Sequence, residues 1–191
     1  FPQWVFPVLA RLLLSSPHPV SKALNQGCRL TVQGPLPAGE PLELSGRLEA
    51  IDEDDRRTRI HQRVTTGTAT HPEALISDVY VTIPKPRPSG TKGARRDRPV
   101  VEDCAVEIGR RSFAADAGTD FAVLTGDINP IHWLRPYAKM AGFPDRILHG
   151  FASLAIAIEE LSAARWGGDV SRLGTIDVRF TKPLVLPAEV G

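Results

Sequence analysis

The sequence predicts an α+β protein made of two related modules, each a helix lying against a curled antiparallel sheet. Three observations carry this reading. Apolar and polar residues alternate in four runs between Arg29 and Ile83, the period of half-buried strands. Phe151, Leu154, Ile158 and Leu161 recur at i, i+3, i+7 and i+10, which draws one apolar stripe on a helix. The order apolar helix, Gly, strand, Pro-Leu-rich turn also occurs twice. Its first copy is Phe1–Leu14, Gly27, Arg29–Gln33 and Pro35–Gly39; its second is Gly150–Arg165, Gly174, Ile176–Phe180 and Pro183–Ala188.

Taken in order, Phe1 to Leu14 is apolar but interrupted by Pro2, Pro7 and Arg11 and lacks a basic flank. It is too short to span a bilayer and reads as a core helix, not a leader or an anchor. Strands are expected over Arg29–Gln33, Pro41–Ile51, Thr58–Thr66 and Leu75–Ile83, joined as a meander. The acidic run Asp52–Asp55 between two of them reads as a hairpin turn, since no Gly or well-spaced oxygen ligands complete a calcium loop. Residues 85–99 are rich in Pro, Gly and cations and nearly empty of apolar residues, so they read as a linker between a module at 1–84 and a second at 100–191. Beyond it, Arg111–Leu124 is helix-compatible, Gly126–His132 is a loop, Arg135–Ala141 a helical turn and Gly150–Arg165 a longer helix ended by Gly167-Gly168. Ile176, Val178 and Phe180 then alternate as in a strand. A chain that opens on Phe1 inside an apolar segment, and closes where a strand is about to start, reads as a piece of a longer protein.

Composition narrows the function. With 42% hydrophobic and 24% charged residues the chain is globular, not disordered. A net charge of +1 supplies no field for nucleic acid or an anionic membrane, so the expected partner is a small molecule. Two cysteines, Cys28 and Cys104, neither in a metal-ligand spacing, fit a reducing cytoplasm.

Chemistry concentrates in Phe121-Ala-Val-Leu-Thr-Gly-Asp-Ile-Asn-Pro-Ile-His-Trp-Leu-Arg-Pro-Tyr-Ala138. Gly126 and Pro130 break any helix here, so Asp127, Asn129 and His132 belong to a structured loop. On a helix Asp127 and His132 would diverge by about 140°; a folded loop can bring them together as an acid/base pair sharing a water. The alternative is that Asp127 caps the next turn and His132 is a hydrogen-bonded core histidine. Ile147-Leu-His149-Gly150-Phe151 then sets a His-Gly at the start of the long helix, where unpaired N–H groups at the positive end could polarise a thioester carbonyl. His149 reads as an orienting or capping residue.

The stretch Phe121 to Ala138, with Leu124, Thr125, Gly126, Asp127, Asn129, Pro130, Ile131 and His132 in place, resembles the signature of the MaoC-like, or hydratase 2, family. Ala138-Lys-Met-Ala-Gly-Phe143, Ile147–Gly150 and Val178–Pro183 continue the similarity, which runs from about Phe113 to Pro187. Residues 1–84 resemble, less specifically, the degenerate first half of two-module members. The resemblance implies a double hotdog fold and reversible hydration of a trans-2-enoyl thioester of coenzyme A or acyl carrier protein, giving the (R)-3-hydroxyacyl thioester. It implies Asp127 and His132 as the catalytic pair, Asn129 as support, the Gly150 N–H in the oxyanion hole, and neither metal nor cofactor. It also implies a homodimer or an internal pseudo-dimer. Phe151 stands where members usually carry Met after His-Gly, which bears on tunnel shape. Two alternatives stay open: a hotdog thioesterase, and a non-catalytic acyl-thioester-binding or structural subunit.

Overall fold

In the computed structural model, which describes residues 2–19, 22–86 and 101–191, a 3-10 turn, Gln3–Val5, leads into helix α1, Phe6–Leu14. Pro7 falls in the first helical turn, where a missing N–H costs no helix bond. Four long strands follow: β1 (Leu24–Val32), β2 (Glu43–Glu53), β3 (Arg57–Gly67) and β4 (Leu75–Pro84). The expected linker falls, from residue 87 on, outside the described residues. After it come β5 (Arg111–Phe113), α2 (Ala117–Thr125), α3 (Arg135–Met140), α4 (Gly150–Trp166), β6 (Thr175–Arg179) and β7 (Ala188–Val190). Among the described residues no helix is long and apolar enough to cross a membrane.

The main sheet is antiparallel with strand order β2-β3-β4-β1-β6. Three strands form the expected meander, but β1 lies beyond β4, not beside β2. The Pro- and Gly-rich connection after β1 carries the chain from one side of β4 to the far edge, and β1 keeps its other edge for β6 of the second half. Asp54 makes the β2–β3 turn as expected: its carboxylate accepts the main-chain N–H groups of Arg56 (2.8 Å) and Arg57 (2.9 Å). A second correction concerns Arg111–Phe113, which is strand and not helix; its partner is β7, and a distant partner overrides local helix preference.

The repeat has a physical counterpart. It equates Arg29 with Ile176 and Leu30 with Asp177, and the β1–β6 ladder pairs Arg29 with Asp177 and Leu30 with Ile176. Two equivalent strands related by a two-fold axis meet in this way. Gly27 permits the approach: its φ is +147°, and a Cβ there would collide with the Val178 carbonyl.

One face of the sheet is apolar. Cys28, Leu30, Ile60, Val64, Val79, Val81 and Ile83 bury against Val5 and Leu9 at the amino-terminal end and against Phe151 and Leu154 of α4, so both helices share one core. Each fully buried aliphatic side chain contributes about 1.5–3 kcal/mol. Desolvation pushes the Cys28 thiol up to about 12, which makes it inert. The other face carries charge, including the Arg63 fork on Asp78 (2.8 and 3.1 Å) with His61 at 2.6 Å. Helix α4 stops at Gly167, in the left-handed region at φ 60°, whose N–H returns to the Ser162 carbonyl. Of the predicted stripe, Phe151 and Leu154 are fully buried while Ile158 and Leu161 are half-buried.

Candidate active site

The site grows out of the end of α2. Gly126 caps the helix with φ 76°, returning its N–H to Ala122, and turns the chain into Asp127. Thr125 ties the exit: its hydroxyl donates to the Phe121 carbonyl (2.7 Å) and accepts from the Asp127 N–H (3.3 Å). Asn129 is extended, as a residue before proline must be, and its side-chain oxygen accepts from the Ile131 N–H (3.3 Å) to start the 3-10 turn Pro130–His132. Asn129 is thus the cap that the sequence also allowed Asp127 to be. The Asn129 main-chain N–H favours the charged form of the Asp127 carboxyl, and Asp127 itself lines the cavity described below.

His132 is buried, and its Nδ1–H donates to the Ile147 carbonyl at 2.8 Å. That bond fixes the tautomer and leaves the lone pair on Nε2. His149, the residue before α4, makes no side-chain cap. Its ring stacks on His132 (centroids 3.6 Å apart, planes 22° apart) with Phe121 at 4.8 Å, and its Nε2–H donates to the Asp127 main-chain carbonyl at 3.0 Å. A single buried stack therefore clamps the Asp127 backbone, the His132 ring and the start of α4. The sequence placed His149 next to Gly150 but held no signal for the direction of its ring.

Burial sets the charge states. Desolvation, reinforced by His149, takes His132 down to about 3, and it lowers His149 as well. Desolvation raises Asp127 above the ordinary carboxylate range, a shift opposed by His149 and by the Asn129 N–H. The pair is a neutral imidazole beside a carboxyl biased toward its protonated form. Asp127, His132 and His149 place ligand atoms within 4.8 Å of one another. Imidazole lone pairs lie in the ring plane, so two rings stacked nearly parallel aim them side by side and not at a common tetrahedral centre. The trio fits a metal ion poorly.

Asp127, Asn129, His132 and Gly150, the four residues singled out in the sequence, all line one cavity of about 530 Å³. Its remaining walls come from both halves of the chain: Phe6, Leu9 and Leu13 of α1, Gln62 of β3, Val79 and Val81 of β4, and Phe151 and Phe180. Gly150 is the first residue of α4, where N–H groups have no intrahelical acceptor. A Cβ at Gly150 would lie 2.6–3.0 Å from the Phe180 ring, so the position is also tightly packed.

Residues 94–191 match the family model of the MaoC like domain. The chain is 32% identical over 174 residues to 3-hydroxyacyl-thioester dehydratase Y of Mycobacterium tuberculosis, covering 86% of this chain and 58% of that protein. It is 42% identical over 66 residues to the peroxisomal enoyl-CoA hydratase 2 of Arabidopsis thaliana, 35% of this chain and 21% of that protein. The chain thus spans little more than half of the first of these relatives. Among solved structures, HtdX of Mycobacterium tuberculosis superposes with a TM-score of 0.77 at 23% identity, over 99% of this chain and 74% of that one. A MaoC-like dehydratase from Phytophthora capsici gives 0.70 at 22% identity, over 91% and 61%. These likenesses show the α+β hotdog fold.

Proposed function

The chain belongs to the MaoC-like domain family, and on that premise we propose that it adds water across a trans-2-enoyl thioester, and removes it from the (R)-3-hydroxyacyl thioester, with coenzyme A or acyl carrier protein as the carrier. The observation that carries this reading is the meeting of Asp127 and His132 on the wall of an apolar cavity that begins at a helix N-terminus, where burial raises the carboxyl above its ordinary value and lowers the imidazole.

In the hydration direction the thioester oxygen lies against the Gly150 N–H, where the positive end of α4 stabilises the charge that develops on it. A water held between the pair gives one proton to His132 Nε2 as its oxygen bonds to the β-carbon; the Asp127 carboxyl gives its proton to the α-carbon. His132 is a weak base while Asp127 is neutral. As Asp127 gives up its proton, a negative charge forms close to the imidazole and raises its proton affinity. The proton on Nε2 then returns to the carboxylate and resets the site. Asn129 holds the turn between the pair, and His149 positions Asp127 and His132. Water addition is redox-neutral, so the reaction calls on no redox cofactor.

We read 1–84 and 100–191 as two modules of an internal pseudo-dimer, joined through β1 and β6, in which the first supplies cavity wall and the second supplies chemistry. The test is the product. Incubated with an enoyl-CoA, the purified protein is expected to consume enoyl absorbance and form the (R)-3-hydroxyacyl-CoA on chiral chromatography, without free thiol. Stoichiometric thiol release would overturn the reading in favour of a thioesterase.

A further inference from the structure

The cavity carries a polar group that the chemistry above does not use. Gln62 lies on the inner face of β3, between the buried Ile60 and Val64, and is 1% exposed. Its strand neighbours are Val79 of β4 and Leu48 of β2, and it lines the same hollow as Leu9, Val79 and Val81.

Its Nε2 donates to the Leu9 carbonyl at 2.8 Å. That carbonyl belongs to the interior of α1, where the N–H four residues on already reaches it, so the helix does not need the contact. A carboxamide brings two donor hydrogens and an acceptor oxygen with two lone pairs. Among the described residues, the bond to Leu9 is the one contact that uses them. A leucine or methionine would fill the same volume without burying unpaired polar atoms. The Leu9 bond instead fixes the plane of the amide and leaves its oxygen as an acceptor.

Resting on the hydratase reading, we infer that Gln62 recognises a hydroxyl group carried on the acyl chain beyond the reacting double bond. The anchored amide oxygen accepts from that hydroxyl, and the second Nε2 hydrogen is available to donate back to its oxygen. The hollow is within the size range of small-ligand sites, and the two modules enclose it together, so a chain starting at Gly150 can extend toward the sheet.

The experiment compares plain medium-chain enoyl-CoAs with chains of equal length bearing one hydroxyl at successive carbons, using wild type, Gln62→Leu and Gln62→Met. For wild type, one hydroxyl position is expected to exceed the plain chain in kcat/KM by about tenfold, the worth of one good hydrogen bond. In both variants the ratio of kcat/KM for the hydroxylated chain to that for the plain chain, measured within each protein, should fall to one or below. Gln62→Met, which keeps length and flexibility, carries the comparison if Gln62→Leu fails to fold. A wild type that favours the plain chain at every position, or a preference that survives in the variants, overturns the inference. Calorimetric Kd values for saturated acyl-CoAs with and without the hydroxyl read the same preference without turnover. Loss of all turnover with the binding preference intact would therefore defeat the hydratase reading alone, and equal Kd values would defeat this one.

Discussion

Gly150→Ala separates two reasons for a glycine at the head of α4. The substitution keeps the N–H that faces the substrate in the proposed mechanism. It adds a Cβ at 2.6, 2.7 and 3.0 Å from the Cε2, Cδ2 and Cζ atoms of Phe180. Ordinary carbon contacts lie at about 3.5–4.0 Å, so the ring must withdraw by about 1 Å. Its retreat is hindered: Phe180 packs edge-on against Phe151 (6.1 Å, 82°), which packs edge-on against Phe6 (5.5 Å, 78°). Overpacking of this kind costs about 1–3 kcal/mol, and alanine's better helix propensity returns at most about 1 kcal/mol. The net expectation is a loss of about 1–2 kcal/mol, read as a fall in Tm of a few degrees. Turnover should fall by up to about 10²-fold, because the displaced ring is part of the cavity wall. The assay is a double-mutant cycle with Phe180→Leu, measuring Tm and kcat/KM on all four proteins. The shorter side chain at 180 should restore both quantities to a protein carrying Gly150→Ala. A Gly150→Ala protein that melts and turns over like wild type, or effects that add without coupling, would refute the reasoning.

Other outcomes follow from the same geometry. Asp127→Asn and His132→Gln should each lower kcat/KM for an enoyl-CoA by about 10²–10⁴-fold while leaving thermal unfolding in place, and the double variant should be little worse than either single one. Near-normal hydration by either variant would remove the pair from the mechanism. In stability, His132 has an ordinary value of 6.5 that burial depresses to about 3, so the unfolded chain takes up a proton in this range and the folded chain does not. The stabilisation is full above pH 6.5 and is lost progressively as pH falls toward 3; His149, depressed by the same burial, acts in the same direction. Denaturant unfolding at pH 7, 5.5 and 4 should therefore show a smaller acid loss for His132→Gln than for wild type. Equal losses would show that the ring is protonated in the fold.

The sheet was legible wherever one face is dry. Inward residues of β3 alternate with outward ones over nearly its full length, β4 adds a largely apolar inward row from Leu75 to Ile83, and the predicted bounds fall within about a residue or two of the observed ones. The start of β1 was missed because Asn25, Gln26 and Gly27 break that alternation, at the point where Gly27 lets β6 come close. Strand order could not be read, because alternation names the buried face of a strand and is silent about its edges. β5 and β7, at three residues each, are too short to show a period.

The site was legible where backbone chemistry dictates it. Gly126 and Pro130 force a loop, and a loop is what lets Asp127 and His132 share a wall. What stayed hidden depends on contacts across the molecule. His149 is explained only by the His132 ring above it and the Asp127 carbonyl beside it. A glutamine at an inward position of a strand breaks the alternation that reveals strands, and nothing local in the sequence marks Gln62 as facing the cavity. The hollow that Gln62 lines draws on both halves of the chain: the second contributes the Gly126–His132 loop and the head of α4, and the first contributes α1 and the middle of the sheet. The first half carries no Gly-Asp-x-Asn-Pro-x-His run. Its helix and strands still line the cavity that holds Asp127 and His132, so changes in either half should reach the reaction through that shared wall.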